Sequence, residues 1–220
     1  MTERYLLHTI AAAPRQWRAV TEQLAAAAPT RLVPFGGGLF GIWRSQIGRP
    51  RDELTAITVW PGDGKADGQV AAAETWLQGQ DAVRSFESRA MAPTLRPDAP
   101  IPPERQGNYA FRSFITPPEN YNEFLSLCAA AWPGFEAAYD SQVIGLWRFE
   151  ASSEPSGIET LLLTRRPDLA MWERSKLPAD EAEAAVRAKL SRRYDLCEAT
   201  WVVTTTLLTA RDRMDEARWA

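Results

Sequence analysis

The stretch Gly41-Ile42-Trp43-Arg44 returns 104 residues later as Gly145-Leu146-Trp147-Arg148. The same shift places Tyr5 on Tyr109, Pro14 on Pro118, Ala25-Ala26-Ala27 on Ala129-Ala130-Ala131 and Pro29 on Pro133. From position 5 to position 60 the register holds without a gap: nine of 56 pairs are identical, and most others match in apolar or polar type. A Gly-Φ-Trp-Arg match in register with two prolines marks an internal duplication, which decides the fold before any single element is assigned. Beyond Trp60 the first copy carries a turn-rich insert over residues 61–68, and a gap of eight residues then aligns Trp76 with Trp172. Pro93, Pro97, Pro100, Pro102 and Pro103 mark a stiff, extended connection. The expected division is a first repeat over residues 1–97, a Pro-rich linker over 98–107 and a second repeat over 108–220.

Each copy reads β-α-β-β-α-β. Residues 4–10 and 108–115 are rich in aromatic and branched side chains, as strands are. Pro14 and Pro118 sit where the first turn of a helix accepts proline, and Trp17, Val20, Leu24 and Tyr121, Phe124, Cys128 recur at helical spacing. Pro29 and Pro133 are expected to stop those helices. Residues 39–47 and 143–149 read as second strands, 54–60 and 158–164 as third strands. Residues 67–86 and 168–190 read as helices, the latter open to a break at Pro178. Residues 199–208 form a clear last strand, whereas its counterpart over 90–96 is weakened by Pro93. This order is the ferredoxin-like split unit, an α+β arrangement that covers one sheet face with helices and leaves the other bare. Two such units meeting sheet to sheet bury both faces, so the expected fold is two ferredoxin-like repeats forming an internal pseudo-dimeric α+β barrel.

Composition removes several chemistries. The 220 residues include 9 Trp, 2 Cys and 1 His, with 25 Lys+Arg against 28 Asp+Glu and a formal charge of −3. One His and two distant Cys, Cys128 and Cys197, cannot build a His/Cys zinc site or an HExxH pair, and no disulfide framework is indicated. The charge balance argues against a nucleic-acid partner. The longest uncharged runs, such as residues 199–210, fall short of a membrane span, and the first residues lack a signal-peptide pattern, so a cytoplasmic protein is expected. Of the basic residues only Lys65, Lys176 and Lys189 are lysine; the other 22 are arginine, the side chain suited to planar carboxylate recognition. Residues 36–41 fit GxGxxG literally but precede a strand instead of opening a helix, so they are no nucleotide fingerprint.

The segment Gly41-Ile42-Trp43-Arg44-Ser45-Gln46-Ile47-Gly48 resembles the NIPSNAP family of the dimeric α+β barrel superfamily. Tyr5-Leu6-Leu7-His8-Thr9-Ile10 is similar to the first strand of that family, and the chain from Glu87-Ser88-Arg89 through Leu95-Arg96-Pro97 to its last. The second copy keeps Gly145, Trp147 and Arg112 but loses the Ile-Gly tail. The resemblance implies a tandem form of this fold. Its superfamily holds cofactor-free monooxygenases, lyases, cyclases and isomerases acting on aromatic or polyketide-like molecules, together with haem enzymes and members without known activity. The resembling haem enzymes use a His from the second half, and this chain has none after His8, so no cofactor is expected.

Function therefore has to come from a site. His8, the lone histidine, falls mid-strand with Leu6 and Ile10 on its face and matches Arg112, which shares its face with Ala110 and Phe114. It reads either as a general acid/base or as a hydrogen-bonded core residue. Arg44 and Arg148 point away from the Trp before each. They could clamp a carboxylate, enolate or phenolate, pair with an acid, or reach solvent. Glu159 is a partner for Arg112 or Arg148, a solvent-facing residue, or a catalytic carboxylate. Trp43 and Trp147 are expected near Trp76 and Trp172 on the second helices, as core or as walls for a flat ligand. Tyr5, Tyr109 and Trp60 complete the candidate substrate-binding set. Two readings result. In one the chain is a cofactor-independent monooxygenase, isomerase or lyase acting on a small aromatic or polyketide-like molecule in a pocket between helices and sheet. There His8 moves the proton and Arg44 stabilises an oxyanion. In the other it is a non-catalytic binding or scaffolding module. A homodimer is compatible with both.

Overall fold

The computed structural model describes residues 3–64, 66–153 and 157–212. Its elements run β1 (Arg4–Ala12), α1 (Trp17–Arg31), β2 (Gly38–Ile47), β3 (Glu53–Trp60), α2 (Ala66–Gln78) and β4 (Val83–Arg96). They continue with β5 (Asn108–Thr116), α3 (Tyr121–Tyr139), β6 (Gln142–Phe149), β7 (Ile158–Arg166), α4 (Leu169–Arg174), α5 (Glu181–Asp195) and β8 (Ala199–Leu207). The protein is thus α+β, with antiparallel strands and five helices among the described residues. None of those helices is long and apolar enough to cross a membrane.

The chain forms two compact units. Among the described residues, the first comprises those up to Pro93, Ala99–Gln106 and 205–212; the second comprises Thr94–Asp98 and those from Gly107 to Thr204. In the first, the strands lie in the order β4-β1-β3-β2. Register is set by pairs such as His8 with Ala56 on one side and His8 with Ser88 on the other. The end of β8 joins this unit beside β2, where the Leu208 N–H donates to the Ile42 carbonyl at 2.8 Å. Leu6, Ile10, Ile42, Leu54 and Trp60 of the sheet pack with Trp17, Val20 and Leu24 of α1 and Trp76 of α2 in one buried cluster. In the second unit β8, β5, β7 and β6 follow in that order, and Phe114, Leu146 and Leu162 meet Phe124, Cys128, Trp132 and Phe135 of α3 and Val186 of α5. The end of β4 joins it: the Thr94 hydroxyl donates to the Leu146 carbonyl, and Arg96 pairs with Glu136 at 2.7 Å.

Three expectations about elements are corrected. Pro29 and Pro133 do not stop their helices; each lies inside one. A proline deletes one backbone bond, and here buried side chains hold the turns around it: Ala28 in α1 and Leu32 just after it, Phe135 and Tyr139 in α3. Gly134 next to Pro133 also lies close against Val186, which lets α3 and α5 approach. The second helix of the first copy ends at Gln78, not near residue 86, and β4 begins at Val83. Residues 83–91 pair with β1, from Val83 opposite Ala12 to Met91 opposite Tyr5, with one register shift between Ala11 and Ala12. Pro93 lies just past that ladder, where β1 asks no N–H of it, so it does not interrupt the strand. The break near Pro178 is present, and each resulting helix has an aspartate N-cap: Asp168 accepts from the Met171 N–H and Asp180 from the Glu183 N–H.

Candidate functional site

Strand alternation sorts the candidate residues onto two faces. Arg44 stacks over Trp17 of α1, its guanidinium carbon 3.9 Å from the ring centroid, while its Nε donates to the Arg51 carbonyl at 3.0 Å. Trp43, its neighbour, therefore faces away from α1 and α2. Trp147 stands likewise in β6, because Leu146 beside it packs under α3. Neither Trp meets the second helix of its copy, so the expected Trp43–Trp76 and Trp147–Trp172 pairings do not occur: a sheet separates them. Tyr5 and Tyr109 take the same outward face, both fully buried, and Tyr5 meets Phe40 edge-on at 5.5 Å. Glu159, also buried, accepts from the Ser153 N–H at 2.8 Å.

His8 lies on the helix-covered face. Its Nδ1 is 2.8 Å from the Ser88 hydroxyl and its Nε2 is 2.9 Å from the Thr58 hydroxyl, which also accepts the Trp60 indole N–H at 2.8 Å. Trp76 packs edge-on against the imidazole at 5.9 Å. The ring is fully buried, and burial pushes its pKa down to about 3. In the first unit this position is occupied and neutral. Arg148 is exposed, 6.0 Å from the Tyr121 ring.

Arg112, at the equivalent place in β5, lines a cavity of about 380 Å³ within the second unit, between its sheet and helices α3, α4 and α5. Trp132, Phe135, Trp172, Phe114 and Leu162 form apolar walls. The charged lining is Arg112, Arg166, Lys176, Arg187 and Arg193, and it contains no Asp, Glu or His. The charges are graded in depth. Lys176 and Arg187 are exposed, Arg112 is half-buried, and Arg166 and Arg193 are buried. Burial and then the charges of Arg193 and Arg187 lower the pKa of Arg112; burial and then Arg112 push Arg166 down to about 10.

Local contacts hold these cations without neutralising them. Arg166 donates to the Thr164 hydroxyl at 3.2 Å and lies 5.0 Å from the Phe135 ring centroid. Arg193 donates to the Cys128 sulfur at 3.6 Å and lies 4.8 Å from the Phe114 ring. The Nε groups of Arg166 and Arg193 and the indole N–H of Trp132 are buried without an acceptor. Among the described residues, Lys176 alone of the five pairs with an acid, Glu173, at 2.8 Å. A cluster of orphaned donors under aromatic walls is complementary to a flat, acceptor-rich anion.

Of the ten candidate residues read from the sequence, Arg112 alone lines this cavity; the other nine lie elsewhere. The sequence reading missed Arg166, Arg187 and Arg193. One signal was present: Val186, Leu190, Arg193 and Cys197 recur at helical spacing, so Arg193 takes a slot in an apolar stripe. A charged residue in such a slot is a candidate for a buried role.

The described residues contain no group of three His, Cys, Asp or Glu placed to hold a metal ion. They do not fit a haem through histidine either, since both ring nitrogens of His8 are engaged by Ser88 and Thr58.

No family model and no curated protein matches the chain. Its fold is shared with solved structures. An anthrone oxidase-like protein superposes with a TM-score of 0.62 at 16% identity, covering 99% of this chain and 97% of that one. A provisionally assigned monooxygenase from Lactobacillus acidophilus gives 0.60 at 9% identity, covering 98% and 100%. A chlorite dismutase mutant from Candidatus Nitrospira defluvii gives 0.57 at 6% identity, covering 94% and 92%. At these identities the likeness is one of fold.

Proposed function

We propose that the chain is an enzyme acting on a small aromatic or polyketide-like molecule, bound as its anion in the cavity of the second unit. The observation that carries this reading is a cavity with aromatic walls, four arginines and no carboxylate in its lining. Such a lining favours the ionised form of a phenol or enol and stabilises negative charge that grows on its oxygen. Arg112 is the central cation, since Arg166, Arg187 and Arg193 all lie within its field. Trp132 and Trp172 hold the flat body. The anthrone oxidase-like and monooxygenase neighbours support an oxidation in which the substrate supplies the electrons. A ring methylene loses two hydrogens and gains one oxygen atom of O2, and the second oxygen atom leaves as water.

The architecture proposed with it is two ferredoxin-like repeats closing as a pseudo-dimeric α+β barrel. The β4-β1-β3-β2 order, repeated as β8-β5-β7-β6, supports it. The NIPSNAP-like reading rests on residues 41–48, with residues 5–10 and 87–97 beside them.

The test is oxygen uptake and quinone absorbance with a hydroxylated anthrone in air, beside titration of tryptophan fluorescence. Turnover above the spontaneous rate, lost in Arg112→Ala, is expected. A second reading, a non-catalytic binder, draws on the lack of any His, Asp or Glu in the lining to serve as base; quenching without turnover would select it. Neither binding nor turnover with any aromatic anion rejects both.

A further inference from the structure

The number of unneutralised cations around this cavity says more than that its ligand is anionic. Arg112 and Arg187 form no hydrogen bond or ion pair with another described residue, and Arg166 and Arg193 each keep a buried Nε without an acceptor. These four come from three elements, β5, β7 and α5, and converge from different sides on one volume. A single carboxylate offers two oxygens and one charge. It can satisfy one guanidinium fork and leaves the remaining arginines repelling one another. The aromatic walls meanwhile ask for an apolar body: Phe135 and Trp172 flank Arg166, and Phe114 lies under Arg193.

We propose that the ligand of this cavity is an aromatic dianion, carrying either one phosphate-type head or two carboxylates, which bridges Arg166 and Arg193 through Arg112. This rests on the assignment of the cavity as the binding site. Arg187, exposed at the mouth, draws the anion in, and the buried pair takes over its charge. The two forms of dianion place their oxygens differently but make the same demand, two negative charges on one aromatic frame.

Four probes, three of them on one naphthalene frame, separate the outcomes, with binding read by calorimetry on the full chain: 1-naphthyl phosphate, a naphthalene dicarboxylate, 1-naphthoate and inorganic phosphate. At about pH 8 naphthyl phosphate is a dianion, because the second phosphate ionisation lies near 6. One of the two dianions should bind at least about tenfold tighter than naphthoate. Whichever dianion wins identifies the head. For naphthyl phosphate the advantage should fade towards about pH 5, where the phosphate is a monoanion while the arginines keep their charge. Arg193→Met and Arg166→Met should each narrow the gap between dianion and monoanion, which a merely structural role would not do. Equal binding of naphthoate and both dianions overturns the dianion proposal and leaves the aromatic-anion site standing. Inorganic phosphate binding as well as naphthyl phosphate overturns the aromatic part. Failure of all four probes to bind overturns the site assignment itself.

Discussion

In β6 the indole of Trp147 folds back across the α-carbon of Gly145, two residues earlier on the same face, so a methyl group on Gly145 would overlap the ring. Gly41 and Trp43 stand in the same relation in β2, where an added Cβ would lie 2.5 Å from the indole. Both strands also shift register just before the glycine, between Leu39 and Gly41 and between Val143 and Gly145. The repeated Gly-Φ-Trp motif is thus one steric unit, a large ring that needs an empty neighbour. Gly145→Ala should cost about 1–3 kcal/mol, the usual penalty of overpacking. Adding Trp147→Ala should not add its own full cost, since the clash is then gone. Denaturant midpoints of the two singles and the double check this; strict additivity contradicts it.

His8 should contribute to stability and not to chemistry in the second unit. Its pKa is pushed below the usual 6.5 to about 3 by burial. The unfolded chain therefore takes up this proton first as pH falls. Stability from this group is complete above about pH 6.5 and drains by roughly 1 kcal/mol per pH unit until about pH 3. In His8→Gln that acid slope should flatten while ligand affinity stays unchanged. Thermal melts across this range, run beside the binding assay, decide; a loss of turnover would restore His8 as a catalytic group.

Arg166→Met should stabilise the apo protein and weaken ligand binding. It removes a buried charge that Arg112 repels, while the Met keeps packing against Phe135. Replacing an imperfectly compensated buried charge by an apolar side chain typically gains about 1–4 kcal/mol. A calorimetric melt that moves upward, with an aromatic-anion affinity at least about tenfold weaker, is expected. A lower melting temperature would show that the charge is compensated in the apo state.

Glu183 should set the acid stability of the segment between α4 and α5, which carries Ser175 and Lys176 of the cavity lining. Its carboxylate accepts from Arg174 at 2.7 Å, from the Ala179 N–H at 2.8 Å and from the Tyr139 hydroxyl at 3.3 Å. The Arg174 bond first, then Ala179, hold its pKa down at about 2. Stability from this depressed acid is present above the usual carboxylate range and is lost as pH falls towards about 2. Glu183→Gln should lower the melting temperature at neutral pH and erase that acid leg. Faster amide exchange confined to residues 174–183 is the local readout.

The alternation of strands and helices and most strand positions were legible in the sequence, because two hydrophobic periods are local signals. What misled was proline. Pro29, Pro133 and Pro93 each read as an end, and each is tolerated because buried partners or a finished ladder remove the cost. The candidate site was only partly legible. Arg112 stood out through its match to His8, but Arg166, Arg187 and Arg193 did not, since in one dimension each is one arginine among 22.

By itself the sequence determined an internal match at a shift of 104 residues in which His8 falls on Arg112. Only the tertiary structure decided which of the two is open. In the first unit Trp60, Trp76, Ser88 and Thr58 close around a neutral imidazole. In the second, arginines from β5, β7 and α5 meet around a volume that aromatic rings wall but do not fill. The physical reason is that charge concentration is a property of convergence in space: cations spread over 82 residues repel, and therefore call for an anion, only once strands and helix bring them together.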